Sequence, residues 1–187
     1  MVSQIKVNEI IKQSGSSISI GESGDTINLA GSAYAAAGVN TPSFMARIGS
    51  DQGSVGSGTL TKLNYDTEIF DSDGTYDTSN KRFTPAVAGK YFCTYAFRTL
   101  DELDDGEYAQ GYFYKNGSAI SPDMGFMRSY SPASNQVVTV GNSMIIELDA
   151  DDYVEIYARQ DRTGSASASI QHNEGQTFFG AYRIIGA

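Results

Sequence analysis

At 187 residues with 40% hydrophobic side chains, the chain can bury one substantial core and carry a small appendage. Twelve Tyr, nine Phe and twenty Gly, with no Trp, are the composition of an all-β protein with many turns. A formal net charge of −9 and no basic run of five or more exclude a nucleic-acid partner, because counterion release from phosphates needs clustered Lys and Arg.

The opening Met-Val-Ser-Gln-Ile-Lys-Val lacks the unbroken apolar core of a signal peptide, and no apolar run approaches transmembrane length. The expectation is a chain that is soluble when made and not inserted in a membrane, leaving a cell by lysis or within a particle. Residues 1–42 contain no Phe and a single aromatic, Tyr34. Ile18-Ser-Ile20 and Ile27-Asn-Leu29 are two short alternating runs with a turn at Gly24-Asp25 between them. Each run offers two inward aliphatic side chains, too few to offset an ordering cost of about 1–2 kcal/mol per residue. They therefore form a tail, or gain a core from other copies of the same chain or from a docking partner. Residues 30–42 read as a small-residue linker.

From Ser43 the character changes. Phe44, Ala46 and Ile48 share one face of a first strand, and residues 49–58, rich in Gly and Ser, read as a mobile loop. Leu60 is out of phase with Leu63 and Tyr65, which predicts a bulge or break. Glu68-Ile69-Phe70 leads into a turn-rich segment ending at Asp77. Phe83 begins a short extended piece that Pro85 bars from an inner position, and Gly89 permits a tight corner. Tyr91, Cys93, Tyr95 and Phe97 then share one face, and Phe92, Thr94 and Ala96 the other, which predicts a central sandwich strand. Cys93, the one cysteine, has no intrachain partner and reads as a small buried hydrophobe.

Tyr108–Lys115 is a predicted strand with Tyr108, Tyr112 and Tyr114 on one face. Asn116-Gly117 signals a type I′ hairpin into Ser118-Ala-Ile120. Strands are also predicted over 124–130 and 136–148, the latter with a bend or bulge at Gly141-Asn142. Asp149–Asp152 is a tight acidic turn, Val154 and Ile156 point inward from the next strand, and residues 164–169 form a loop. Residues 177–185 close the chain as a strand apolar on both faces. About ten short strands with no convincing helix give the fold class: an all-β, antiparallel jelly-roll sandwich preceded by a short β-rich arm.

Residues 43–186 resemble the trimeric jelly roll shared by complement C1q globular heads and tumour necrosis factor. The resemblance rests on Phe44-x-Ala46, Ile69-Phe-Asp, Gly74-x-Tyr76-Asp77, Phe83-Thr-Pro85-x-Val87-x-Gly89-x-Tyr91-Phe92, Leu148-x-x-x-Asp152-x-Val154 and Phe178-Phe-Gly180-x-x-x-Ile184 in order. It implies a homotrimer, with the closing strand and the Tyr91–Phe97 strand near the axis. The first 30 residues, Ser3-Gln-Ile-Lys-Val-Asn-Glu-Ile followed by Ser-Gly loops and Ile-x-Ile runs, are similar to the starts of small virion proteins of tailed bacteriophages. Neither a signal peptide nor the collagen repeat of secreted members is present, and the arm stands where their stalk would be.

No residue is assigned a catalytic, cofactor-binding or metal-binding role, and no enzyme is expected. His172 is the single histidine and reads as a surface residue. The acidic stretches Asp101–Glu107 and Asp149–Asp152, with Asp71-x-Asp73-Gly, hold carboxylates that a glycosidase or calcium would need, yet lack a full calcium-loop spacing. Solvated turn carboxylates are the simpler reading. The expected organisation is an anchoring arm and linker over 1–42, joining other virion proteins, and a trimeric head over 43–187. The expected function is a non-enzymatic tail fibre or adhesin touching a host-surface glycan or protein. The alternatives are a capsid decoration or head fibre held by the arm, and a secreted complement-like or cytokine-like ligand.

Overall fold

The computed structural model describes residues 41–120, 125–165, 167–172 and 175–184. Their regular structure is strand, apart from a short 3-10 turn at Thr163–Ser165. In chain order the strands are β1 (Ser43–Arg47), β2 (Gln52–Val55), β3 (Thr61–Lys62), β4 (Thr67–Asp71), β5 (Tyr76–Asp77), β6 (Arg82–Phe83) and β7 (Gly89–Arg98). There follow β8 (Tyr108–Lys115), β9 (Ser118–Ala119), β10 (Phe126–Tyr130), β11 (Thr139–Leu148), β12 (Val154–Asp161), β13 (Ala168–Ile170) and β14 (Phe178–Arg183). They belong to one compact unit, Asn40–Ala187. The anchoring arm falls outside the described residues except for Thr41 and Pro42, as do the predicted strand limits at Met124 and Ile185.

All named strand pairs are antiparallel. One sheet runs β11-β7-β14-β1-β4, so the first strand lies beside the last. The other runs β10-β8-β12-β6-β5, with β9 on β8 and β3 on β12, and β2 pairs with β13 in a separate ribbon. The predicted faces of β7 hold: Tyr91, Cys93, Tyr95 and Phe97 are all buried, and β7 lies between β11 and β14. Across the core they face Phe83, Phe113, Val154 and Ile156 of the second sheet. The Phe44 ring stacks on Tyr76 and Phe83, with centroids 4.5 and 4.8 Å away, and meets Phe179 edge-on at 4.9 Å.

Three of the core tyrosines place their hydroxyls on backbone acceptors, whereas the buried Tyr95 hydroxyl has no acceptor among the described residues. Tyr65 donates to the Ala96 carbonyl at 3.0 Å, Tyr76 to Tyr65 at 2.6 Å and Tyr91 to Val87 at 2.6 Å. Burial drives the Cys93 thiol far above its ordinary pKa, so it is inert as a nucleophile in the folded chain.

The hairpin at Asn116 and Gly117 has both residues at positive φ, 52° and 76°, as a type I′ turn requires. Leu60 is exposed while Leu63 and Tyr65 are buried, with β3 reduced to two residues, which is the predicted break. Four expectations need correction. The 49–58 loop contains β2, because Val55 is buried and pairs with Ala168 across the chain. The 164–169 loop likewise gives way to β13 at Ala168. Gly141-Asn142 makes no bulge: β11 pairs residue for residue with β7 from Thr139 to Leu148. Gly89 makes no corner but starts β7, with the Arg183 side chain packed against the position a Cβ would take. Four of the fourteen strands among the described residues are two residues long, too short for an alternation to show.

Candidate assembly and ligand faces

The β7 alternation that buries Tyr91 and Cys93 turns Phe92 and Thr94 out of the sandwich. Strand register lines Phe92 up with Tyr182 on β14 and Ile145 on β11. Met45 on β1 stands opposite Gly180 on one side and Phe70 on the other. An apolar band therefore crosses all five strands of this sheet. Ile145 is 58% exposed, Phe70 48% and Tyr182 41%. The Phe92 and Tyr182 rings lie 5.3 Å apart.

Within the band is an almost wholly apolar hollow of about 230 Å³, walled by Met45, Phe70 and Tyr182 and floored at Gly180. A Cβ at Gly180 would come within 3.1 Å of the Phe44 carbonyl oxygen. At the band's end the β1–β4 register shifts, pairing Met45 with Phe70 and Ala46 with Glu68, so Ile69 is the extra residue of a bulge. A contiguous exposed apolar face of this kind marks a contact surface.

The outer face of the second sheet is different. Tyr108, Tyr112 and Tyr114 share it as predicted, and Tyr157 and Phe126 join them from β12 and β10. Tyr114 and Tyr157 are 4.2 Å apart, and Tyr112 and Phe126 5.7 Å. The Arg128 guanidinium sits 4.1 Å from the Tyr108 ring centre and 5.7 Å from that of Tyr130. Gln110, Arg128 and Arg159 also meet here, and sequence reading missed them. Their signal was a cation interrupting Phe-Met-Arg128-Ser-Tyr and Ala-Arg159-Gln, at strand positions whose register only the fold reveals.

The acidic candidates close loops. Asp71 accepts the Tyr76 N–H at 2.7 Å and the Asp73 N–H at 3.2 Å. Asp152 accepts from Asn116 Nδ2 at 2.6 Å, the Asp149 N–H at 2.8 Å and Lys115 Nζ at 2.6 Å. Glu107 accepts the Asp104 and Thr163 N–H groups, and Asp101 that of Ser169. Among the described residues, no group of three or more His, Cys, Asp and Glu is placed to hold a metal ion. His172 is exposed, with Nδ1 2.6 Å from Asp51 Oδ1, so it ties the β1–β2 connection to the end of β13.

These bonds make the fold acid-labile in a defined window. The Lys115 ammonium, with Asn116 and the Asp149 N–H, holds the Asp152 carboxyl down at about 2. The Thr163 N–H lowers Glu107, the Asn80 side chain lowers Asp77, and the His172 hydrogen bond lowers Asp51. Each folded pKa lies below its unfolded value, so the stabilisation is present above the unfolded value and is lost as pH falls through the folded one. The urea midpoint is expected to fall from about pH 5 to about pH 2. Asp152→Asn should lower it at neutral pH and flatten the end of the decline nearest pH 2. A midpoint independent of pH over that range would contradict this reading.

No family model matches the chain. Over 118 residues, 61% of its length, the chain is 30% identical to the phage-like element PBSX protein XkdV of Bacillus subtilis strain 168, and it spans 17% of that protein. Its fold is similar to the globular domain of zebrafish complement 1qA, with a TM-score of 0.52, 12% identity, and 76% of this chain and 96% of that one covered. It is also similar to murine APRIL, with a TM-score of 0.56, 8% identity, and 76% and 98% covered. The fold of the described residues is a C1q-like and tumour-necrosis-factor-like jelly roll, and the chain is related in sequence to a protein of a phage-like element. Among the described residues, no helix is long and apolar enough to cross a membrane.

Proposed function

We propose that the chain is a structural protein of a phage or phage-like particle: a homotrimeric tail fibre or adhesin. Residues 1–42 join it to other virion proteins, and heads over 43–187 touch the host surface. The observation that carries the trimer is the apolar band Phe70–Met45–Tyr182–Phe92–Ile145, left exposed on this sheet. Three identical heads closing their bands on one another would bury it and leave the tyrosine face of each second sheet outward. Three weak contacts made together then give firm attachment without any one being tight. The sequence relation to a phage-like element protein supports the setting, made in the host cytoplasm and carried on a particle. No chemistry is required of the chain for this role.

Gold-labelled antibody on intact particles tests the reading, together with binding of the purified full-length protein to host cells. Label at the tail end with saturable cell binding is expected. Label spread over the capsid, with no cell binding, contradicts attachment and supports decoration instead.

A further inference from the structure

Strand pairing sets three donor-bearing side chains in one row across the outer face of the second sheet. Gln110 stands opposite Arg128 on one side and Arg159 on the other. Neighbouring strands are about 4.8 Å apart, so the two arginine backbones are roughly 10 Å apart, within reach of one small ligand. Arg128 Nε and Nη2 both donate to Gln110 Oε1, at 3.2 and 3.0 Å, and Nη1 donates to Tyr130 Oη at 2.9 Å.

The amide acceptor is thus already taken, and what remains in the row is donors alone. Gln110 is 2% exposed, and its Oε1 accepts both Arg128 bonds. Arg159 Nε is buried and unpaired among the described residues. A buried donor left without a partner is destabilising, and two neighbouring guanidinium groups repel. Of the carboxylates near this face, Glu155 pairs with Lys62, and Asp161, opposite Tyr108, makes no ion pair with either arginine among the described residues. In a chain of net charge −9, this is a local cationic row that no carboxylate pairs with among the described residues.

One pleat further along lies an aromatic row, with Tyr112 between Phe126 and Tyr157. Burial raises the Tyr112 phenol pKa while Arg159 and Arg128 pull against that rise, so both cations act on the ring's hydroxyl. Unmatched donors beside flat aromatic surface suit a sugar ring that bears an anionic oxygen group.

We propose that the Arg128–Gln110–Arg159 row is a binding site for an acidic saccharide. A carboxylate or phosphate group takes the three residues' N–H donors, and the sugar ring lies over the Tyr112 row. This rests on the surface-attachment reading and gives it a ligand class.

Calorimetric titration of the full-length protein tests it with four probes: tetragalacturonate, a mannose-phosphate oligosaccharide, neutral maltotetraose and inorganic phosphate. At least one acidic oligosaccharide is expected to bind, more weakly as salt rises, with the tighter one identifying the acid group. Maltotetraose and phosphate alone should each be weaker by about tenfold or more. Arg159→Gln should lose about tenfold in affinity. Arg128→Lys, which keeps the charge but not the two-pronged donor, should lose about fivefold. Absence of acidic-saccharide binding, equal binding of maltotetraose or phosphate, or unchanged affinity in both variants overturns the site. Saccharide binding without host-cell binding would keep the site and reject attachment. Cell binding that excess acidic saccharide does not compete would do the reverse.

Discussion

Tyr182→Asp is expected to leave the head folded and convert the proposed trimer into monomers. Tyr182 sits in the middle of the apolar band, 41% exposed, with Phe92 as its aromatic neighbour 5.3 Å away. Its loss removes about 1 kcal/mol of ring contact from a single copy, which a core of this size tolerates. In the assembly, the same position would hold a carboxylate against apolar side chains of the neighbouring copies. At about 2 kcal/mol or more per copy, the lesion acts three times over and lowers the assembly constant by roughly ten-thousand-fold. Ile145→Asp, at the other end of the band and 58% exposed, is expected to act in the same direction. Light scattering reads the mass, and circular dichroism confirms that each variant is folded. Two folded variants with unchanged mass would remove the band from the interface.

Gly111→Ala should be strongly destabilising. Gly111 lies in β8, whose backbone is held between β10 and β12 and cannot retreat without breaking a ladder. A Cβ there would lie 2.6 Å from Tyr95 Cε2, 2.7 Å from Phe97 Cε1 and 2.7 Å from Tyr95 Oη. Those rings are 1% and 0% exposed, stacked within 14° of parallel, and Tyr95 is braced edge-on against Phe113 at 4.7 Å. Neither has a free direction in which to yield. The expected loss is about 3 kcal/mol, at the upper end of overpacking, read as a lowered urea midpoint. Gly53→Ala is the control: nothing lies within 4 Å of its Cβ position, and its stability should be unchanged or slightly raised. Equal effects at the two glycines would refute the account of the core.

Much of this fold could be read from the chain because side-chain alternation in a strand depends on local sequence alone. Tyr91 to Phe97 declared its two faces, Asn116-Gly117 its turn, and Phe44, Ala46 and Ile48 their inward direction. The missing parts depend on register between distant strands, which period-2 patterning does not carry. Strand β2 exists because Val55 meets Ala168, and Ser54 there takes a positive φ of 65° that nothing in Gln-Gly-Ser-Val announces. Gly111 and Gly141 look alike in sequence, yet one lies over two buried rings and the other backs onto the Tyr95 carbonyl. The tyrosine face was legible from β8 alone, whereas the Arg128–Gln110–Arg159 row needs three strands from separate parts of the chain. The acidic stretches resembled ion sites because carboxylates that accept loop N–H groups occupy the same turn positions as ligands would.

Three copies meeting through the five-stranded sheet form the proposed assembly. The most direct measurement is the mass of the full-length protein in solution, by light scattering at micromolar concentration. About three times the 20.1 kDa of one chain is expected. A stable species at 20.1 kDa, with the apolar band left to water, would contradict it.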